Sequence, residues 1–188
     1  MKGHLRIIGG RAKGRSVRVP ASARPTGARL RSSLFELLAA RKPPPGHFLD
    51  LYAGSGVVGL EAASRGYQVT LVERDREAGK VIEANLRSLG LQATLLRQDA
   101  VHRPADFGPV DIAFLDPPYQ QEIAELTDWF LAKLQFTEGA ILIVQHPTQL
   151  HLGARGGRLA ERREYGSNCL TLYQSAPQVT QAQPPAPI

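Results

Sequence analysis

Two groups of residues in this chain have the types and the spacing to do chemistry. The first is Leu49-Asp50-Leu51-Tyr52-Ala53-Gly54-Ser55-Gly56-Val57-Val58-Gly59, which reads as a strand, a tight glycine turn and a helix start. In open α/β sheets the crevice at such a turn takes nucleotides, because glycines let the backbone come close to the ligand. Glu73 follows Gly54 by 19 residues, where an acid that accepts two ribose hydroxyl protons belongs. Phosphate would favour the helix N-terminus, whereas Asp50 just before the turn would repel phosphate and favour a cationic ligand. The second group is Asp116-Pro117-Pro118-Tyr119, directly after Val110-Asp111-Ile112-Ala113-Phe114-Leu115. The prolines fix φ and remove backbone donors, so a carboxylate, an oriented carbonyl and an aromatic ring stand together. Asp116 lies 62 residues after Gly54, room for two intervening strands, so both groups should meet at the carboxyl edge of one sheet. The plain alternatives are a tight turn without a ligand and a proline-rich turn after a strand.

The elements that must hold these groups alternate in type. Phe48 to Tyr52, Gln68 to Val72, Ala93 to Arg97, Asp111 to Leu115 and Ala140 to Val144 read as strands. Helices are expected over Val57 to Arg65, Arg76 to Leu89 (apolar face Val81, Ala84, Leu86 and Leu89) and near Glu122 to Leu134. Leu159 to Tyr165 and Cys169 to Gln174 form a hairpin across Gly166-Ser167, adding antiparallel strands at one edge. This alternation predicts an α/β fold, a doubly wound and mostly parallel sheet. Ahead of it, Leu5 to Gly10 and Arg15 to Pro20 read as two short strands, and Thr26 can cap a helix with the stripe Leu30, Leu34, Leu37, Leu38 flanked by Phe35. Arg29 and Arg31 fall outside that stripe, free to point at a ligand. The expected organisation is a basic extension over 1–42, a main domain over 47–174 and a disordered tail over 175–188.

Charge separates the extension from the rest. The first 42 residues hold eleven lysines and arginines against the single acid Glu36, a net of +10 in a 188-residue chain whose total is +6. Such a segment fits an anionic partner such as a phosphodiester backbone; the plain alternative is a solvated basic face. With 43% hydrophobic and 21% charged residues, wholesale disorder is excluded. The apolar runs are too short to span a membrane, and the N-terminus is not that of a secretory signal. Cys169 is the single cysteine, which excludes an intrachain disulfide and a multi-cysteine zinc site; no metal is expected, and the chain reads as a cytoplasmic monomer. His146 reads as a solvated loop histidine, Trp129 as helix packing and Cys169 as an inert buried hydrophobe.

With Asp116-Pro117-Pro118-Tyr119 behind a glycine turn and a ribose acid, the sequence resembles the adenosylmethionine-dependent methyltransferases that modify exocyclic amines of nucleobases. An exocyclic amine is a poor nucleophile because its lone pair is delocalised into the ring. Two acceptors on its protons, the Asp116 carboxylate and the Pro117 carbonyl, would return that lone pair to nitrogen, with Tyr119 stacked on the base. A paired base would first leave its stack. The flanking sequence is similar to the bacterial 16S rRNA guanine-N2 methyltransferases of the RsmD type over roughly residues 5 to 174. Arg6-Ile7-Ile8-Gly9-Gly10, Gly14-Arg15, Arg24-Pro25-Thr26, Gly59-Leu60-Glu61-Ala62, Glu73-Arg74-Asp75, Asn85-Leu86, Asp99-Ala100 and Tyr165-Gly166 carry the match.

The resemblance implies a Rossmann-like methyltransferase fold with seven strands, helices on both faces and a small N-terminal hairpin and helix. It implies S-adenosylmethionine as cofactor, S-adenosylhomocysteine as product, and a guanine N2 of 16S rRNA, on 30S particles, as substrate. Asp50, Ala53, Gly54, Ser55 and Gly56 would hold the amino-acid end of the cofactor and Glu73 its ribose, while Arg74, Asp99 and Ala100 would frame the adenine. Arg24 and Thr26 would sit over the cofactor, and Arg11, Arg15, Arg18, Arg29 and Arg31 would grip RNA. Ala28, Ser32 and Gln145-His146 stand where the family usually or often carries acids. The rivals are a DNA or RNA adenine-N6 or cytosine-N4 methyltransferase, a nicotinamide-dependent oxidoreductase and a non-catalytic RNA-binding protein. The first lacks room for a target-recognition domain, the second leaves Asp116-Pro117-Pro118-Tyr119 unexplained, and the third leaves an intact acid and aromatic without a role.

Overall fold

A computed structural model describes residues 5–20, 26–118, 122–156 and 161–174. Two short strands, β1 (Leu5–Arg6) and β2 (Ser16–Val17), pair antiparallel ahead of helix α1 (Ala28–Arg41). The body follows as β3 (His47–Asp50), α2 (Val57–Ser64), β4 (Gln68–Val72), α3 (Arg76–Leu89), β5 (Thr94–Leu96), β6 (Val110–Leu115), α4 (Ile123–Lys133), β7 (Phe136–Pro147), β8 (Arg162–Tyr165) and β9 (Asn168–Gln174). A short 3-10 turn, Pro104–Phe107, precedes β6. The seven strands β3 to β9 form one sheet in the order β5-β4-β3-β6-β7-β9-β8. Its first five positions are parallel, and β9 runs antiparallel to both β7 and β8. This is the Rossmann-like methyltransferase fold the sequence implies.

The parallel strands are apolar on both faces because helices cover both. On one face Phe48, Leu71, Phe114 and Ile143 pack with Leu34 and Leu38 of α1, Leu60 of α2 and Ile82 of α3. On the other, Leu49, Val72, Leu115 and Val144 pack with Ile123 and Phe130 of α4 and with Phe107. The chain builds outward from β3 in one direction through β4 and β5, then returns to β3's other side with β6 and β7. That reversal leaves a crevice between β3 and β6 at their carboxyl ends.

The basic extension is built into this core. Glu61 of α2 is fully buried and accepts hydrogen bonds from the Ile8 N–H (2.9 Å) and Arg31 (3.2 Å), with Arg65 at 3.0 Å. The Ser64 hydroxyl accepts from the Ala12 N–H (2.9 Å) and donates to the Gly9 carbonyl (2.6 Å). Gly10 lies so close to α2 that a Cβ there would stand 2.0 Å from the Ser64 carbonyl oxygen. Farther on, the Asn85 amide pairs with both backbone polar groups of Arg18 at 2.9 Å.

Several expectations need correction. Arg31 does not face a ligand: it is 1% exposed and held by Glu61, because a buried carboxylate requires a partner. Burial works against both charges, lowering the Arg31 pKa and raising that of Glu61. Gly27, not Thr26, is the N-cap of α1, and no side chain caps that helix. The buried face of α3 is Ala78, Gly79, Ile82, Asn85 and Leu89, since Asn85 serves Arg18 and rotates the stripe away from Val81 and Ala84. His146 is not a loop residue. It lies within β7, fully buried, with one ring nitrogen 2.8 Å from the Thr171 hydroxyl oxygen and the other 2.9 Å from the Pro147 carbonyl oxygen. The tail over 175–188 lies outside the described residues.

Candidate active site

At the carboxyl ends of β3, β4, β6 and β7 the molecule holds a cavity of about 570 Å3, at the switch point of the sheet. Its floor is the turn after β3. The Gly56 N–H donates to the Ala53 carbonyl at 2.6 Å, and Gly56 adopts φ +73°. A Cβ on Gly56 would also meet Ile82 of α3 at 2.8 Å, so glycine is needed for conformation and for space. Ala53, Gly54 and Ser55 line the cavity directly, whereas Gly56 acts through the shape of the turn.

Three acids stand along this edge. Glu73, just past β4, accepts the Gly54 N–H at 2.6 Å and the Asp75 N–H at 2.7 Å, which fixes its carboxylate against the glycine turn. Asp50, at the end of β3, is 1% exposed and accepts the Gly59 N–H at 3.0 Å. Burial raises its pKa to about 7; the Gly59 hydrogen bond opposes this, and the nearby carboxylates of Asp116 and Glu73 add to it. A buried acid among acids is a site that favours a cation. Asp116, one residue beyond β6, is half-buried and lines the same cavity with Pro117 and Pro118.

The remaining walls come from three places. Arg74 and Ala100 line the β4 side; Asp99 stands behind them, pairing with Arg74 at 3.2 Å and accepting the Val101 N–H at 3.1 Å. Thr26, Gly27, Arg29 and Leu30 bring the start of α1 over the cavity. The β8–β9 turn contributes Tyr165, Gly166 and Asn168, and the Tyr165 hydroxyl hydrogen-bonds Ser33 of α1. Burial raises the Tyr52 phenol to about pKa 12, so its hydroxyl stays protonated in this wall.

Of the residues singled out in the sequence, the cavity gathers Thr26, Arg29, Asp50, Ala53, Gly54, Ser55, Glu73, Arg74, Ala100, Asp116 and Pro117. Arg24 and Tyr119 lie outside the described residues. Three arginines are elsewhere. Arg11 lines a depression with His47, Gln68 and Pro109, at the amino ends of the strands and away from the cavity. Arg15 donates to the Leu89 carbonyl at the end of α3 (3.0 Å), a contact that complements the helix dipole. Arg18 is tied by its backbone to Asn85 on the middle of α3 and exposes its side chain. Sequence reasoning did not pick out Tyr52, Gln98, Gln145 and Asn168 as site residues. The signal for Gln145 was present: it is the polar residue that closes the apolar run Ala140 to Val144.

Comparison with known proteins agrees with this geometry. Residues 5–174 match the family described as conserved hypothetical protein 95. Ribosomal RNA small subunit methyltransferase D of Escherichia coli K12 is 40% identical over 130 residues, 66% of this chain and 65% of that enzyme. The YlbH protein of Bacillus subtilis 168 is 31% identical over 185 residues, 90% of this chain and 98% of that one. The solved structure of a hypothetical protein from Thermus thermophilus superposes with a TM-score of 0.82 at 43% identity, covering 89% of this chain and 98% of that one. A match over 5–174 takes in the docked extension, the glycine turn and the Asp116 loop together, and the chain therefore belongs to the conserved hypothetical protein 95 family, that of the RsmD-type rRNA methyltransferases.

Proposed function

We propose that this protein transfers a methyl group from S-adenosylmethionine to the exocyclic N2 amine of a guanine in 16S rRNA, on 30S particles. The convergence of Asp50, Glu73 and Asp116 with a glycine turn on one cavity carries the reading. The cofactor fits the residues present. A buried acid with a raised pKa suits a ligand bearing ammonium and sulfonium charge, and an acid held against the turn suits a ribose. In this reading Asp50 and the turn Ala53 to Gly56 hold the amino-acid end and Glu73 the ribose, while Arg74, with Asp99 behind it, and Ala100 bound the adenine. When bound, adenosylmethionine supplies the electrophilic methyl.

The chain's own residues prepare the nucleophile. The Asp116 carboxylate and the Pro117 carbonyl accept hydrogen bonds from the two amine N–H groups and draw nitrogen toward tetrahedral geometry; the methylated nitrogen then loses one proton as the sulfur departs as the neutral thioether. Tyr119 stacks on the base, and the start of α1 excludes water above the cavity. Positioning supplies much of the rate, because the amine must stand ~3–3.5 Å from the methyl and in line with the departing sulfur. Arg29, exposed at the cavity, and Arg18, exposed elsewhere on the extension, hold the RNA backbone; Arg15 is tied to the end of α3, and Arg11 lies at the amino ends of the strands. The protein works as a monomer in the cytoplasm, without a metal.

Labelled methyl transfer from adenosylmethionine to 30S particles, naked 16S rRNA and DNA, followed by nucleoside analysis, tests this reading. N2-methylguanosine from RNA is expected. N6-methyladenine in DNA would transfer the protein to the DNA-modifying rival.

A further inference from the structure

Gln145 lies at the carboxyl edge of β7, 6% exposed, and lines the cavity. Its side-chain Oε1 is fully buried and accepts no hydrogen bond from any described residue. A buried carbonyl oxygen left unpaired costs about 1–3 kcal/mol, and a turn of the amide about its terminal torsion brings this oxygen to the cavity that Gln145 lines, where a donor arriving with a ligand pairs it. The register says which part of the ligand. Leu115 pairs with Val144 across β6 and β7, so Asp116 and Gln145 follow side by side on adjacent parallel strands. Side chains alternate along a strand. Phe114 and Ile143 face the side covered by α1 and α2, Leu115 and Val144 the opposite side, and Asp116 and Gln145 return to the first. Across the sheet the polar residues at the cavity then run Glu73 (after β4), Asp50 (β3), Asp116 (after β6) and Gln145 (β7). Gln145 stands on the side of Asp116 away from Glu73, hence away from the cofactor's ribose and toward the incoming base.

Resting on the guanine-N2 reading above, we infer that Gln145 selects the base by accepting the guanine N1–H through Oε1. With the N2 amine on Asp116 and Pro117, the next atom along the Watson–Crick edge of guanine is N1, a donor. Beside the adenine N6 amine the corresponding ring atom is N1, and beside the cytosine N4 amine it is N3; both are bare acceptors. An acceptor in this position therefore rewards guanine and leaves two lone-pair-bearing atoms facing each other with the other bases. The selection needs no proton transfer; the β6–β7–β9 ladder fixes the backbone that carries the amide beside Asp116.

The test compares wild type with Gln145→Leu and Gln145→Glu, the second keeping an acceptor whichever way the group turns. Three quantities are read: N2-methylguanosine formation from 30S particles, adenosylhomocysteine affinity by calorimetry, and inhibition of transfer by guanosine against 2-aminopurine riboside, which has the amine but no ring N–H. Gln145→Leu is expected to lose roughly tenfold or more in kcat/KM, the scale of one buried hydrogen bond, with adenosylhomocysteine affinity within about twofold. Gln145→Glu restores most of the rate, and the wild-type preference for guanosine over 2-aminopurine riboside vanishes in Gln145→Leu. Unimpaired N2-methylguanosine formation by Gln145→Leu, or a parallel loss of adenosylhomocysteine binding, overturns the assignment while leaving the enzyme's proposed function standing. Wild type that makes no N2-methylguanosine overturns the function itself, and this assignment with it.

Discussion

Asp50→Asn isolates the cost of keeping a carboxylate in the cavity wall. The side chain is 1% exposed, and burial lifts its pKa from the ordinary 3.8 to about 7. Between those two values the folded protein keeps a proton that the unfolded chain releases. The stability contributed by Asp50 is thus complete below pH 4 and is lost as pH rises toward 7. Three pKa units at 1.36 kcal/mol each set the loss at about 4 kcal/mol for the unliganded protein. A cationic ligand reverses the balance, because it holds the ionised form. Below pH 7, binding of adenosylmethionine should release close to one proton per site, and its Kd should rise up to about tenfold for each unit that pH falls. Calorimetry at pH 6 in two buffers of different ionisation enthalpy measures the proton directly, and urea unfolding from pH 4 to 8 measures the stability slope. Asp50→Asn should show neither effect and should bind the cofactor more weakly above pH 7. A wild-type Kd that stays flat from pH 5.5 to 8, with no proton released, would refute the assignment of Asp50 to the cofactor's cationic end.

Asp116→Ala should nearly abolish methyl transfer while adenosylhomocysteine affinity, by calorimetry, stays within a few fold; retained turnover would remove Asp116 as the amine acceptor. Arg31→Met leaves a fully buried Glu61 with one fewer partner and should destabilise the fold by about 3–5 kcal/mol in urea unfolding, with Arg31→Met/Glu61→Leu recovering part of the loss. Replacing Arg18 and Arg29 with glutamine should flatten the log–log salt dependence of RNA affinity by about 0.7–0.9 per lost phosphate contact. Arg11→Gln, at the opposite edge of the sheet, should leave that slope unchanged.

The body of the fold is legible because its strands are short apolar runs separated by glycines and helix-length segments; Gln68–Val72 and Arg76–Leu89 begin and end where the sequence puts them. The site was legible where backbone chemistry dictates residue type, as at the glycine turn, Glu73 and the Asp116 loop. Legibility failed where a side chain's fate depends on a partner distant in sequence. Arg31 looks like a surface arginine until Glu61, 30 residues on, is known to be buried beneath it. Asn85 looks polar and outward until it is seen pairing with Arg18. His146 looks like a loop residue because the strand that extends β7 past it is β9, whose Cys169 pairs with His146 from 23 residues later. Gln145 carried no motif, and its weight comes from standing beside Asp116 across a strand pair.

The mutual dependence of the extension and α2–α3 sets an order of assembly. The partners of Ile8, Ala12, Arg15 and Arg18 lie 52 to 74 residues later in the chain. Strands of two residues do not persist alone. At synthesis rates of about 5–20 residues per second, the basic segment therefore waits on the order of 4–15 s, undocked, before α3 is available. Residues of the extension are placed by residues made seconds later, and the wall that Thr26 and Gly27 give the cavity can close only after the middle of the chain has emerged. A substitution at Glu61 thus loosens the docking of Ile8 and Arg31, and one at Asn85 that of Arg18, without altering any residue of the extension.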